Sequence, residues 1–225
     1  MTSGLWDRVD TAAAGVGGAG LAVAAAILAF GPAAPIPVHF NLAGDADRWS
    51  GRGEAALVLA GLVGGLALCY ALLKAMEGML ASDAPGRRGL RMGRLAVVWS
   101  AGCVVALLAT GVWGVPIFGE RHLVRPVILS LLILGLGALC GKVSPNPVVG
   151  VRTYWSLRSR LAWDKSNRLA GRLFFAIGAF GLLLGPWVSP ARFNLGLFSL
   201  VIAAALVSVF ESWRVWRDDP ERMDR

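Results

Sequence analysis

Charged residues are scarce in this chain. Asp, Glu, Lys and Arg make up 16% of its 225 residues, whereas hydrophobic residues make up 56% and the mean hydropathy is +0.63. Soluble domains are typically about 25% charged and about 45–50% apolar. The composition therefore excludes an ordinary soluble domain and places the chain among membrane proteins.

Cysteine is also rare, which excludes a disulfide framework and a cysteine-based zinc site. The three cysteines, Cys69, Cys103 and Cys140, each fall inside an apolar run and form no Cys-x-x-Cys pair. We interpret them as small apolar packing residues, as buried cysteines usually are.

The chain has only two histidines, His39 and His122. Both are predicted to lie on one side of the membrane, and three carboxylates are predicted on that side: Asp45, Asp47 and Glu120. Histidine with carboxylates suits zinc, but nothing in the sequence fixes these residues together. We therefore predict no metal and no cofactor.

Six apolar runs are long enough to cross a membrane or nearly so. They are residues 12–30, 55–75, 95–115, 126–141, 173–188 and 195–213. A span needs about 20 residues, within a range of roughly 17–25, so the fourth and fifth runs should recruit flanking residues. Asp7 and Asp10 argue against a signal peptide in the first run. We predict an all-α integral membrane protein, a six-transmembrane-helix bundle with a short extracytoplasmic cap loop.

The distribution of basic residues predicts the orientation. With the N-terminus inside, 17 of the 22 Lys and Arg residues lie on the inner side of the predicted spans and 5 on the outer side. This is the bias that the positive-inside rule describes. The net charge of +8 is thus explained by topology and by contact with membrane lipids, not by nucleic acid, and both termini are predicted to be cytoplasmic.

Ionisable residues are nearly absent from the span interiors, which disfavours a proton pump or an ion-coupled transporter. Lys74 and Glu77 lie at a span end, where we expect them to snorkel. The halves show no sequence repeat, so an inverted-repeat transporter is not supported. Three Gly-x-x-x-Gly pairs, at 61–65, 137–141 and 181–185, predict close helix packing within the bundle.

These patterns divide the chain into four parts. Residues 1–75 form a two-span unit with an outer loop, and residues 76–94 form a cytoplasmic connector. Residues 95–213 form a four-span unit with an inner loop at 142–172, and residues 214–225 form a cytoplasmic tail.

The outer loop contains the first polar segment of interest, residues 35–49. Two prolines, at 35 and 37, force extended backbone. Val38, Phe40 and Leu42 then alternate with polar residues, which predicts a short strand with one apolar face. The candidate contact residues of this loop are His39, Asn41, Gly44, Asp47 and Trp49. Two interpretations stay open: a structural cap in which His39 is hydrogen-bonded in place, or a ligand-contacting surface.

The inner loop contains the second polar segment, residues 146–171. Pro145 and Pro147 end any helix from the fourth span, and Ser156 is predicted to cap a new helix that leads into the fifth span. Trp163 and Asn167, with the 4-3-4 spacing that continues to Phe174, share a face of that helix. The candidate residues of this segment are Asn146, Gly150, Arg152, Thr153, Trp155, Trp163, Asn167 and Arg168.

Arg152 and Arg168 admit two interpretations. They can fasten the loop to the bundle by stacking on aromatic rings or by binding carbonyl oxygens. They can also recognise a peptide, a lipid headgroup or a protein partner.

The inner segment resembles the signature of the SdpI family of bacterial membrane proteins. The matching pattern is Asn146-x-x-x-Gly150-x-Arg152-Thr153-x-Trp155, followed by Trp163-x-x-x-Asn167-Arg168-x-x-Gly171. The run from Pro35 to Trp49 is similar to a small domain of unknown function that is often fused before it. Two positions depart from the family pattern: Tyr154 replaces a common proline, and Asn167 an often-seen histidine.

The resemblance implies a non-enzymatic immunity or resistance protein in the bacterial cytoplasmic membrane. The family is named for a protein that protects its producer from a secreted killing peptide and holds a transcriptional repressor at the membrane. The expected partners are membrane lipids, a secreted toxin peptide on the outer face and a cytosolic regulator on the inner face.

The alternative is a membrane-embedded enzyme or a lipid-headgroup-handling protein in which Arg152 and Arg168 hold an anionic headgroup. The sequence shows no nucleophile–base pair, metal motif or phosphate loop in support of an enzyme.

Overall fold

The computed structural model describes residues 6–41, 45–79, 83–113 and 121–222, apart from the side chains of residues 121–123. This part of the chain folds into six α-helices and one β-hairpin. The helices are α1 (Arg8–Phe30), α2 (Arg52–Met79), α3 (Ala84–Trp113), α4 (Arg121–Cys140), α5 (Arg160–Leu184) and α6 (Pro190–Arg217).

Five of these helices are long and apolar enough to cross a membrane, and the apolar part of α4, Val124–Cys140, is shorter. The prediction of an all-α membrane bundle is therefore confirmed. Large apolar side chains also face outward, such as Leu57 at 74% exposed and Leu206 at 64% exposed. Soluble monomers rarely expose large contiguous apolar surface, so this surface fits hydrocarbon.

Helix packing follows the chain order. Helices α1, α2 and α3 pack on one another, α3 also packs on α4, α4 on α5, and α5 on α6. The prediction that the fifth span recruits flanking residues is confirmed, because α5 is one continuous helix of 25 residues. It therefore carries the second half of the inner polar segment into the membrane without a break.

Small residues set the distance between α4 and α5. A Cβ atom at Gly137 would lie 2.3 Å from the backbone nitrogen of Phe175, and one at Gly171 would lie 2.6 Å from that of Gly141. Backbones this close leave no room for a side chain, which confirms the packing prediction for residues 137–141.

The other two glycine pairs behave differently from each other. A Cβ at Gly181 would lie 2.5 Å from the Ser130 hydroxyl oxygen, so the 181–185 pair also packs within the bundle. A Cβ at Gly61 or Gly65 would meet no atom of another helix within 4 Å in the described part of the chain. The packing prediction for that pair is wrong, because its face of α2 points away from the other helices.

The outer loop is a two-stranded antiparallel hairpin, β1 (Ile36–Phe40) and β2 (Ala46–Ser50). The sequence predicted only the first strand. Ile36 is 2% exposed and belongs to an apolar cluster with Ile27 of α1 and Leu59 of α2. The hairpin is thus fixed to the bundle through one apolar face, as the alternating pattern predicted. Leu42 lies outside the described residues.

Candidate functional site

Asn146 shapes the start of the inner loop. Its side-chain oxygen accepts hydrogen bonds from the backbone amides of Val148 (2.8 Å) and Val149 (2.7 Å). Its amide nitrogen donates to the carbonyl oxygens of Ser144 and Val149, both at 2.9 Å. The residue is 7% exposed, and both side-chain atoms are used within the loop. Asn146 therefore folds the loop and is not available to a ligand.

Trp163 and Asn167 hold the middle of the loop against α5. The indole nitrogen of Trp163 donates to the carbonyl oxygen of Val143 at 2.9 Å. The side-chain oxygen of Asn167 accepts from the backbone amide of Val151 at 2.8 Å, while its nitrogen donates to the Trp163 carbonyl at 2.9 Å. Each of the two residues is 1% exposed. The predicted shared face is confirmed, and it is a structural face.

Gly150 makes this contact possible. Its φ is +119°, in the region that L-residues other than glycine rarely adopt. A Cβ there would also lie 2.6 Å from the side-chain oxygen of Asn167. A side chain at this position would therefore both strain the backbone and push the loop away from α5.

The loop is also tied to α6. The hydroxyl groups of Thr153 and Ser212 share a hydrogen bond of 2.7 Å. The backbone amide of Thr153 donates to the Ser156 hydroxyl oxygen at 2.9 Å, and that hydroxyl donates to the Val151 carbonyl at 2.7 Å. Thr153 thus has a structural partner on a separate helix.

Ser159 caps α5, so the prediction that Ser156 caps this helix is wrong. Its hydroxyl oxygen accepts from the backbone amide of Ala162 at 2.9 Å, and its hydroxyl also donates to the carboxylate of Asp219. Ser156 lies in the turn before the helix, where its hydroxyl is already committed to the loop backbone. The start of α5 is therefore linked directly to the segment after α6.

Arg152 and Arg168 are both exposed. Within the described residues, neither guanidinium has a hydrogen bond, an ion pair or a ring contact, so the interpretation that they fasten the loop to the bundle gains no support. Arg158 stacks instead, with its guanidinium carbon 3.8 Å from the centre of the Tyr154 ring. Trp155 is partly buried.

The two arginines lie on opposite sides of the contact between α4 and α5. Arg152 lines a cavity together with Ala170 and Phe174 of α5. Arg168 lines a shallow groove on the other side of α5, next to Lys142 and Arg172. The sequence grouped Arg152 and Arg168 as one site, and the fold separates them.

The hairpin exposes a polar face at the other end of the bundle. His39 Nδ1 lies 2.6 Å from the carboxylate of Asp47, which joins the two strands. The side-chain oxygen of Asn41 accepts from the backbone amide of Asp45 at 2.9 Å, so Asn41 stabilises the turn. Trp49 is 57% exposed. Gly44 lies outside the described residues.

The interpretation of the loop as a structural cap includes a hydrogen bond of His39, and this bond is present. A metal site in this region gains no support, because no group of three or more His, Cys, Asp or Glu side chains is close enough to hold an ion within the described ranges. Glu120 and the side chain of His122 lie outside those ranges. The structure therefore does not describe the distance between the two histidine side chains.

The sequence did not predict a buried ion-pair network that the structure contains. This network lies near the end of the bundle that carries the inner loop. Asp10 of α1 is 4% exposed. It accepts hydrogen bonds from Tyr70 (2.6 Å), Lys74 (2.8 Å) and Arg94 (3.1 Å). Arg94, which is 2% exposed, also pairs with Asp7 at 2.8 Å and with Glu77 at 2.9 Å. One arginine of α3 thus holds α1 and α2 together.

This network corrects the expectation that Lys74 and Glu77 snorkel to the interface. Both side chains turn inward to charged partners, because an unpaired charge near hydrocarbon is costly. Burial raises the pKa of Asp7, but hydrogen bonds from the Asp10 amide and the Arg94 guanidinium outweigh it and leave that pKa below its ordinary value. One feature of the sequence could have indicated this network: residues of opposite charge lie at the same predicted face of the membrane.

Comparison with known proteins finds a family match in the C-terminal part of the chain. Residues 142–212 match the model of the SdpI/YfhL protein family. The match covers the inner loop, α5 and most of α6, and it confirms the resemblance drawn from the inner motif. The likeness of residues 35–49 to a fused N-terminal domain stays a prediction. No curated protein and no solved structure matches the chain.

Proposed function

We propose that this protein protects a bacterium from a secreted antibacterial peptide, because residues 142–212 match the model of the SdpI/YfhL protein family, which suggests a membrane protein of the immunity type. In this proposal it is not an enzyme, and it resides in the cytoplasmic membrane. In this proposal the peptide binds to the hairpin, on the outer face of the membrane.

The observation that carries the proposal is the two-faced hairpin. Its apolar face is fixed to α1 and α2 through Ile36. Its other face presents an exposed tryptophan, Trp49, and a cross-strand pair of His39 and Asp47. A rigid surface that combines an exposed aromatic ring with paired polar groups suits recognition of an amphipathic peptide, since exposed Trp residues are frequent anchors of binding energy.

The alternative of a lipid-handling enzyme loses support at the inner loop. It required Arg152 and Arg168 to hold one headgroup together, but the two residues line separate cavities. The other candidate residues there use their polar atoms to fold the loop, as Asn146 and Asn167 do.

The test is survival of a sensitive bacterium that produces this protein, under a panel of secreted killing peptides. We expect the natural chain to protect and Trp49→Ala to lose about tenfold or more in the protective threshold, as removal of an aromatic anchor typically costs about 2 kcal/mol. Protein abundance in the membrane is measured in parallel, so that lost protection can be separated from lost protein.

Trp187→Ala is the matched control. Trp187 is 84% exposed and lies in the connection between α5 and α6, at the same end of the bundle but outside the hairpin. We expect this variant to protect as the natural chain does. Equal protection by Trp49→Ala and Trp187→Ala would contradict the hairpin proposal, and failure of the natural chain against every peptide would contradict the immunity function.

A further inference from the structure

A cavity of about 410 Å³ lies toward the end of the bundle that carries the inner loop. Four helices and the loop bound it. Its wall is almost entirely apolar, with side chains that include Met92, Ala96, Leu136, Phe174, Ala205 and Val209. A cavity of this size and lining accommodates a flexible hydrocarbon chain.

The cavity lies beside the middle of α5. The two α5 residues that line it, Ala170 and Phe174, lie 10 and 14 positions after the start of the helix at Arg160, which is about 15 and 21 Å along the helix axis. The hydrocarbon core of a bilayer is about 30 Å thick, so these side chains lie at the depth of the acyl chains, whereas Arg152 lies in the loop before α5.

Arg152 is the one charged residue among those that line the cavity. It is exposed and makes no hydrogen bond or ion pair within the described residues. The polar neighbours are already engaged: Thr153 shares a hydrogen bond with Ser212, and the Ser208 hydroxyl donates to the Ala204 carbonyl at 2.7 Å. The cavity thus combines apolar walls with a single free cation.

We propose that this cavity binds an anionic phospholipid of the inner leaflet, with one acyl chain among the apolar side chains and the phosphate on Arg152. A guanidinium binds phosphate through two parallel hydrogen bonds, and basic pockets between membrane helices suit anionic headgroups. This site is separate from the hairpin and does not depend on the immunity function.

Cys140 provides a local probe, because its side chain lines the same cavity. With Cys69→Ala and Cys103→Ala in the background, a membrane-permeant maleimide reports on Cys140 alone. The protein is reconstituted in phosphatidylcholine vesicles with increasing fractions of phosphatidylglycerol, and the labelling rate is measured at constant pH. A second series adds inorganic phosphate to pure phosphatidylcholine vesicles.

We expect phosphatidylglycerol to slow labelling severalfold. Arg152→Gln should raise the fraction needed for half of this effect by about tenfold or more, because it removes the two charge-assisted hydrogen bonds to the phosphate. Inorganic phosphate should not slow labelling, because it lacks the chain. Arg168→Gln is the matched control, since Arg168 is exposed in the same segment but lines the groove across the α4–α5 contact. Phosphatidylglycerol should slow labelling in the Arg168→Gln variant as much as in the natural protein.

Three results would overturn the proposal. One is labelling that does not depend on phosphatidylglycerol in the natural chain. Another is an Arg152→Gln variant in which phosphatidylglycerol slows the labelling of Cys140 as much as in the natural protein. This would mean that the acyl chain enters without recognition of the headgroup. The third is an Arg168→Gln variant that weakens the effect of phosphatidylglycerol as much as Arg152→Gln does. This would assign the effect to the surface charge of the whole loop.

Discussion

The side-chain oxygen of Asn167 accepts a hydrogen bond from the backbone amide of Val151 at 2.8 Å. This contact joins α5 to the loop at the position next to Arg152. The Asn167 side chain is 1% exposed, so its end of the bond is closed to solvent. The exposed arginines can therefore be studied as binding residues only if this buried contact is left intact.

Asn167→Ala is predicted to release the loop. It leaves the Val151 amide without its partner and removes one of the bonds to the Trp163 carbonyl. One unsatisfied buried donor costs about 1–3 kcal/mol. We expect a lower thermal midpoint in detergent and faster proteolysis between residues 146 and 158. Arg168→Gln, one residue further on and exposed, should change neither. A proteolysis rate equal to that of the natural chain would show that Asn167 does not hold the loop.

Asp10→Ala is predicted to be among the most damaging changes in the chain. It leaves Arg94 buried with one fewer counter-charge and removes an ion-pair partner of Lys74. Breaking a buried pair by removing one partner costs about 3–5 kcal/mol. The measurement is unfolding of the purified protein in detergent, with abundance in the membrane as a second readout.

Asp83→Ala is the control for that experiment. Asp83 is an exposed aspartate just before α3, where its carbonyl oxygen accepts from the Arg87 amide. Its loss should therefore cost no more than a helix cap does, about 0.5–2 kcal/mol. Equal stability of the two variants would mean that the network around Arg94 contributes nothing to holding the helices together.

Gly171→Ala is predicted to separate α4 from α5. The added methyl group would lie 2.6 Å from the backbone nitrogen of Gly141, and backbone atoms cannot move aside as a flexible side chain does. Overpacking of this kind typically costs about 1–3 kcal/mol. Gly61→Ala is the matched control, because the space around that position is open. Its stability should be equal or slightly higher, since alanine favours a helix by about 1 kcal/mol over glycine.

The helices could be predicted from the sequence because apolar length is a local property. Each run carries its own signal, and the structure extends the runs only at their ends, as in α5. The hairpin was half predicted for the same reason: Val38 and Phe40 alternate visibly, whereas the second strand, Ala46–Ser50, has no such pattern. Its pairing with the first strand forms the sheet.

The contacts that decide the candidate site could not be predicted, because they join residues far apart in the sequence. Asp10 and Arg94 are separated by 84 positions, and Thr153 and Ser212 by 59. The sequence showed which residue types were unusual in the inner loop. Only the fold shows that Asn146 and Asn167 are used within it, while Arg152 is left exposed.

The orientation of the bundle is a prediction on which both proposals depend. The excess of basic residues places the hairpin outside and the inner loop inside, so a cysteine in each segment should react from opposite sides. In a background without the native cysteines, we expect Asp45→Cys to be labelled in intact cells by a membrane-impermeant maleimide. Arg160→Cys should be labelled only after the cells are opened. Both positions are exposed in the structure, so a difference in labelling reports sidedness and not burial.

The reverse labelling pattern would place the hairpin in the cytoplasm, where no secreted peptide reaches it, and the cavity beside Arg152 in the outer leaflet. Labelling of both cysteines in intact cells would instead indicate that the protein inserts in two orientations. The expected pattern, by contrast, puts the exposed Trp49 where a peptide arrives. It also puts Arg152 at the leaflet whose anionic lipids attract basic segments, with about 1 kcal/mol gained for each Lys or Arg near the surface.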